Sequence, residues 1–175
     1  VTYMFMHGGF SHLFFNMFAL YMFGSVLERV WGAKRFLIYY FVAGIGAGLL
    51  QEVVQYANFV HEGLAAYDGV STKTGVIPMG QFLNLWTTVG ASGTIYAILL
   101  GFGLSFPNDK MFVFPLPFPI KAKFFVIGYA VIELLLGLSN TQDGIAHFAH
   151  LGGMLFGLAM ILYWRKKRKI GGPYV

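Results

Sequence analysis

The sequence predicts an all-α, polytopic membrane protein. Hydrophobic residues make up 57% of its 175 residues, charged residues make up only 11%, and the mean hydropathy is +0.66. So few charges cannot cover the surface of a water-soluble protein of this length. The apolar residues also fall into separate runs, each of which is predicted to be a membrane-spanning helix. The predicted spans are 10–27, 36–54, 92–106, 122–138 and 145–164.

The segments between these runs predict turns and loops. A short basic turn at 28–35 is expected between the first two spans, and a long loop at 55–89, rich in Gly, Asn, Asp, Ser and Thr, is expected after the second. Pro107 ends the third helix, and the prolines that follow it, as far as Pro119, prevent a helix until residue 121. A turn at 139–144 precedes the last span. Val1 is neither a methionine nor the start of a signal peptide, so further sequence is expected upstream.

The basic residues predict how the chain is oriented. All but one of the 12 lysines and arginines lie in the first turn, in the proline-rich loop or after the last span, and the exception is Lys73 in the long loop. Cytoplasmic loops retain Lys and Arg, so the tail 165–175 is predicted to be cytoplasmic, and the N-terminus and the long loop external. The basic run at 165–169 is interpreted as an anchor on anionic lipid, with the bilayer as partner, rather than as a nucleic-acid site.

Two polar residues inside the apolar spans are candidates for a functional site. Ser92, flanked by Gly90 and Gly93, opens the third span, and His150 lies early in the fifth. Polar groups are costly within a bilayer, which favours a functional role for both. Because both spans enter from the external side and the third is short, the two side chains can lie at the same depth.

Residues at helical spacing support the same pairing. The stripe on the third span consists of Ser92, Tyr96, Leu99 and Gly103. The stripe on the fifth span consists of His150, Gly153 and Gly157. The two glycines after His150 form a small-xxx-small face, which would let the fifth span approach the third closely. The alternative is that these glycines only pack helices and that the histidine binds a backbone carbonyl.

Ser92 and His150 together suggest nucleophilic chemistry. A serine hydroxyl needs a base that takes its proton, and acyl transfer needs donors directed at the developing oxyanion. His12 and Asn16, one helical turn apart in the first span, and the Ser92 amide at a helix start are candidate donors. Asn16 could instead form a hydrogen bond that holds two helices together. Glu133 is expected to lie far from this site, so a Ser–His dyad without an orienting carboxylate is predicted.

His147 is the other candidate base, one turn before His150. The residues three and seven positions after it are His150 and Met154 rather than two glycines, so its face of the helix is not expected to approach the third span closely. It is therefore expected to be a solvated or loop-bonded histidine. No metal site is predicted, since neither pair of neighbouring histidines has a third ligand within reach along the sequence. The absence of cysteine excludes disulfides, thiolate nucleophiles and cysteine metal sites.

Three motifs identify a family resemblance. His12 to Asn16, Gly90 to Gly93 and Ala149 to Gly157 resemble, in the same order, the HxxxN, GxSG and AHxxGxxxG motifs of rhomboid intramembrane serine proteases. The spacing of Gly24, Glu28 and Gly32 is similar to a further pattern of that family.

The resemblance implies a rhomboid-like bundle with a six-helix core, of which the five spans would be helices two to six and the first would be missing. Ser92 would attack a peptide bond, with His150 as general base and with His12, Asn16 and the Ser92 amide as the oxyanion hole. Tyr96 matches the tyrosine that packs on the catalytic histidine. The implied substrates are single-pass transmembrane proteins, no cofactor is implied, and a bacterial cytoplasmic membrane is the expected location.

Two other function classes are alternatives to the protease. A transporter could also place polar residues at a broken helix, but the sequence has no internal repeat and few acids within its spans. A catalytically impaired rhomboid-like binding protein would keep the fold but would have lost the serine or the histidine. Both residues are present, so the sequence favours an intramembrane serine endopeptidase.

Overall fold

The structure, a computed structural model, describes residues 1–72, 75–112, 117–139, 146–167 and 170. Its helices are α1 Phe10–Ala19, α2 Ser25–Trp31, α3 Ala33–His61, α4 Met79–Leu83, α5 Ser92–Ser105, α6 Ala122–Leu138 and α7 His147–Lys166. Two antiparallel hairpins pair β1 Gly69–Thr72 with β2 Gly75–Pro78, and β3 Lys110–Met111 with β4 Ile120–Lys121. Predictions that rest on Lys73, Pro115, residues 140–145, residues 168–169 or residues 171–175 lie outside the described residues.

The prediction of an all-α membrane protein is confirmed. A π-helical stretch, Leu20–Gly24, joins α1 and α2 into one continuous helix, Phe10–Trp31. This helix, α3 and α7 are each long and apolar enough to cross a membrane, and α5 is a shorter apolar helix. Large apolar side chains also face outward, such as Phe15 at 66% exposure and Leu135 at 61%. Hydrocarbon rather than water suits such a surface, so the protein is an integral membrane protein.

Two predicted connections are wrong in their extent. The basic turn expected at 28–35 shrinks to the single residue Gly32, whose φ of 84° lets the chain reverse between α2 and α3. The long loop expected from residue 55 begins only after His61, because α3 continues two turns further. Beyond it, the segment carries the β1–β2 hairpin and α4, which the composition of the segment did not predict. Residues with low helix propensity are tolerated within a long helix when the helix propensity summed over the neighbouring residues is high.

Helix α7 occupies the centre of the bundle, packed between α3 and α5. Small residues permit this packing: a Cβ added to Gly153 would collide with the Gly93 carbonyl of α5, and one added to Gly157 would lie 3.0 Å from the Ala97 Cβ. The fully buried Tyr39 of α3 donates a hydrogen bond to the Ala97 carbonyl at 2.6 Å. These contacts hold α5 and α7 at a fixed separation.

The prediction that the stripe from Ser92 to Gly103 faces the last helix is wrong beyond the first turn of α5. Gly103 packs on Val126 of α6 rather than on α7, as a Cβ there would lie 2.7 Å from a Val126 methyl group. The residues of α5 that meet α7 are instead Gly93 and Ala97, which lie beside Ser92 and Tyr96 on the helix surface. The reason is that α5 packs against α3, α6 and α7, so no single stripe of it faces one partner.

Candidate active site

The structure brings Ser92 and His150 together. Ser92 is the first residue of α5, and His150 lies in the first turn of α7. The Gly93–Gly153 contact sets their separation, and the Ser92 Oγ lies 2.8 Å from the His150 Nε2. This is a hydrogen-bond distance between a hydroxyl and a base that could accept its proton. His150 is only 7% exposed, so the pair lies largely away from solvent.

Tyr96 fixes the plane of the imidazole. It lies one turn after Ser92 on α5, and its ring stacks on His150 with 4.2 Å between the centroids and 8° between the planes. A stacked ring can slide in its plane but cannot easily tilt. The stacking therefore fixes the plane of the ring, whose Nε2 edge meets the Ser92 Oγ.

A cavity of about 350 Å³ opens beside the serine. Its walls include Gly90, His12, Ser92 and His150. Gly90 has a φ of 119°, and a Cβ there would lie 2.7 Å from His12 and 3.7 Å from the Ser92 Oγ. Only glycine leaves open the space between the imidazole of His12 and the hydroxyl. The space therefore lies between two polar groups, the His12 imidazole and the Ser92 hydroxyl.

The two predicted oxyanion donors occupy different environments. The His12 Nδ1 accepts a long hydrogen bond from the Gly8 amide at 3.4 Å, which leaves Nε2 as the protonated nitrogen on the side of Gly90. Asn16 is buried on α1, and its Nδ2 donates to the His12 carbonyl at 2.7 Å. The structure therefore brings His12 into the cavity and leaves Asn16 behind it. The role of Asn16 as a donor stays a prediction.

Glu133 is a site residue that the sequence reasoning missed. Its Oε1 accepts a hydrogen bond from the Tyr96 hydroxyl at 2.5 Å, and its Oε2 one from the His147 Nδ1 at 2.7 Å. The Oε2 also lies 3.0 Å from the His150 Nδ1. The expectation that Glu133 lies far from the site is wrong, and so is the prediction of a dyad without a nearby carboxylate.

The direction of α6 explains this error. Glu133 is far along α6 in sequence, but α6 runs antiparallel to α5 and α7, so its final turns lie beside their first turns. Gly137, one turn further on, allows the approach, since a Cβ there would meet Phe148 at 3.2 Å and the His147 Cβ at 3.4 Å. Counting the helical rise back from the end of α6 would have placed Glu133 at the depth of His150.

The expectation that His147 is solvated is also wrong. It is 5% exposed and hydrogen-bonds the Glu133 carboxylate. One turn of helix separates it from His150, which puts both rings on the side of α7 that faces Glu133. A buried carboxylate needs hydrogen-bond donors, and His147 supplies one to Oε2 while Tyr96 supplies one to Oε1.

Glu133, His147 and His150 have the spacing of a metal-binding group, because one ligand atom from each lies within 4.8 Å of the others. The third ligand that the sequence did not reveal is therefore present. Two of these ligand atoms, the Glu133 Oε2 and the His147 Nδ1, already hydrogen-bond each other. This arrangement is that of a hydrogen-bonded cluster around a carboxylate.

Comparisons with known proteins agree with this architecture. A family model described as the Rhomboid domain matches residues 1–167. The rhomboid protease AarA of Providencia stuartii is 28% identical over 172 residues, which cover 94% of this chain and 56% of that protein. The presenilin-associated rhomboid-like protein A, mitochondrial, of Danio rerio is 27% identical over 95% of this chain and 38% of its own length.

A further relative is the rhomboid protease GluP of Bacillus subtilis, which is 28% identical over 87% of this chain and 23% of its own length. The chain thus spans about half or less of the length of these curated relatives. The family match, in contrast, extends over nearly all of the chain and includes each residue of the cluster described above. The chain therefore belongs to the Rhomboid family of integral membrane proteins.

Proposed function

We propose that this protein is a serine endopeptidase that cleaves transmembrane protein substrates within the bilayer. The observation that carries the proposal is the 2.8 Å contact between the Ser92 Oγ and the His150 Nε2 beside a cavity. Two of its relatives support it as well, since they are named rhomboid proteases.

The proposed reaction begins when the Ser92 hydroxyl attacks the carbonyl carbon of a substrate peptide bond. The His150 Nε2 accepts the hydroxyl proton and later gives it to the leaving amine nitrogen. The result is an acyl-enzyme on Ser92, which water, deprotonated by the same imidazole, hydrolyses to release the carboxylate product and restore the serine.

The oxyanion would occupy the space that Gly90 keeps open. The His12 Nε2–H borders this space, and the Ser92 backbone N–H, at the first position of α5, has no partner within its own helix. Donors in such a water-poor site stabilise the developing charge far more than they would in bulk water. Asn16 would join them if its amide turned from the His12 carbonyl toward the cavity.

The proposed substrates are single-pass transmembrane proteins, which would reach the serine from the lipid. The proposed setting is the bacterial cytoplasmic membrane with the C-terminal tail in the cytoplasm, because 11 of the 12 basic residues fall on one side of the predicted topology. The relative from Danio rerio is described as mitochondrial, so the type of membrane is open to test by localisation in the source cell.

Covalent labelling tests the proposal directly. The purified protein in phospholipid vesicles is expected to react with an alkyl fluorophosphonate, and mass spectrometry of the digested adduct should locate the phosphonyl group on Ser92. It should also cut a tagged single-pass substrate in the same vesicles. An unlabelled Ser92 in folded protein, together with an intact substrate, would contradict the protease function and favour a binding protein of the same fold.

The two candidate oxyanion donors are expected to differ in effect. His12→Ala should lower turnover by about 10²- to 10³-fold, as expected for loss of a donor directed at the oxyanion. Asn16→Ala should cost less, because the Asn16 amide already donates to the His12 carbonyl. Steady-state cleavage rates of both variants check this. Equal losses would mean that Asn16 turns into the cavity when substrate binds.

A further inference from the structure

We infer that Glu133 is a positioning residue that holds the His150 imidazole in the tautomer that can deprotonate Ser92. The inference rests on the proposed function, and it adds a third member to the predicted Ser–His pair. It starts from one contact, the 3.0 Å between the Glu133 Oε2 and the His150 Nδ1, and from the burial of both side chains.

The tautomer of His150 decides whether it can act as a base. A neutral imidazole carries one proton, and Nε2 can accept the Ser92 proton only if that proton is on Nδ1. A buried Nδ1–H needs an acceptor, and in the described part of the chain no regular hydrogen bond satisfies it. The carboxylate oxygen at 3.0 Å is placed to accept it after a small rotation of the ring or of the carboxylate. Glu133 thereby favours the Nδ1–H tautomer.

The remaining contacts of the carboxylate fix its position. Tyr96 donates to one oxygen and His147 to the other, so donors from α5 and α7 hold a carboxylate that belongs to α6. A carboxylate has about four acceptor sites, which leaves room for His150 as a third donor. Tyr96 also stacks on the His150 ring. The imidazole is thus held on its face by Tyr96 and at its Nδ1 edge by Glu133, with Nε2 directed at the serine.

The same contact acts during the reaction. When the Ser92 proton moves to Nε2, the imidazole carries protons on both nitrogens and a positive charge. The negative Glu133 lies beside Nδ1 and stabilises that charge without taking a proton. The charge disappears again when Nε2 gives its proton to the leaving amine.

Glu133→Gln tests the inference, with Glu133→Asp as the conservative variant. Glutamine keeps the shape of the side chain, but its amide can donate to Nδ1 and so favour the wrong tautomer of His150. The rate constant for fluorophosphonate labelling of Ser92 is expected to fall by about 10²- to 10⁴-fold. Aspartate keeps the charge and should label at least ten times faster than glutamine. Glu52→Gln, at an exposed position of α3, is the control and should label at the wild-type rate.

A spectroscopic measurement separates positioning from a structural role. In wild-type protein labelled with ¹⁵N-histidine, the His150 shifts should show a protonated Nδ1 and an unprotonated Nε2, and in Glu133→Gln this pattern should weaken or reverse. If Glu133 only links α6 to α7, the variant will lose thermal stability but keep the tautomer and the labelling rate. That outcome overturns the inference.

The outcomes also separate this inference from the proposed function. Wild-type protein that fails to label contradicts the serine chemistry itself. Wild-type protein that labels, beside a Glu133→Gln variant that labels equally fast, contradicts only the role of Glu133. If the variant does not fold, the wild-type spectrum decides alone, because a protonated Nε2 on His150 is incompatible with the inference.

Discussion

Ser92→Ala is expected to abolish both substrate cleavage and fluorophosphonate labelling while the fold is retained. The substitution removes the attacking oxygen, and nothing else in the described cavity carries a hydroxyl that contacts His150. Loss of a catalytic nucleophile typically lowers turnover by about 10⁶-fold. The fold should survive, because alanine fits the first turn of α5 and the lost hydrogen bond is worth only about 1 kcal/mol.

Cleavage of a tagged substrate in vesicles and the thermal unfolding midpoint measure the two parts of this expectation. Ser139→Ala is the matched control, because Ser139 is an exposed serine just after α6 that should be replaced without effect on either measurement. Cleavage that persists in folded Ser92→Ala protein would mean that another residue is the nucleophile, and the protease mechanism proposed above would be wrong.

His150→Ala is expected to have the second large effect, a loss of labelling of about 10⁴- to 10⁶-fold. Without the imidazole, no group within hydrogen-bond distance of the Ser92 Oγ in the described residues can take its proton. The Tyr96 ring and the Glu133 carboxylate would border a small void where the ring had been. Some loss of stability is therefore expected as well, so labelling should be compared at temperatures well below the unfolding midpoint.

His147→Ala is the matched variant, since it removes the same side chain one turn away on α7. His147 hydrogen-bonds Glu133, whereas the hydrogen bond to the Ser92 Oγ comes from His150, so labelling should stay within about tenfold of the wild-type rate. The comparison measures which histidine is the base. If His147→Ala abolished labelling and His150→Ala did not, the pairing of Ser92 with His150 would be wrong by one helical turn.

The sequence by itself determined the fold class and the candidate nucleophile and base. A high apolar fraction in separate runs is sufficient to predict membrane helices, because hydrocarbon accepts only segments whose backbone hydrogen bonds are internal. Ser92 and His150 were identifiable because a hydroxyl or an imidazole is rarely placed in an apolar span without a role. The start of α5 at Ser92 and that of α6 at Ala122 also follow from local glycine and proline placement.

Only the tertiary structure revealed the surroundings of this pair. Glu133 and His147 join the site because the last turns of α6 pack beside the first turn of α7, a contact between helices that spacing along one helix does not specify. Asn16 and His12 lie on one face of α1, yet a hydrogen bond to its own helix directs the Asn16 amide away from the cavity. Spacing along a helix predicts which face a residue occupies. The packing of three helices determines which groups on those faces touch, and therefore which of them can take part in the chemistry.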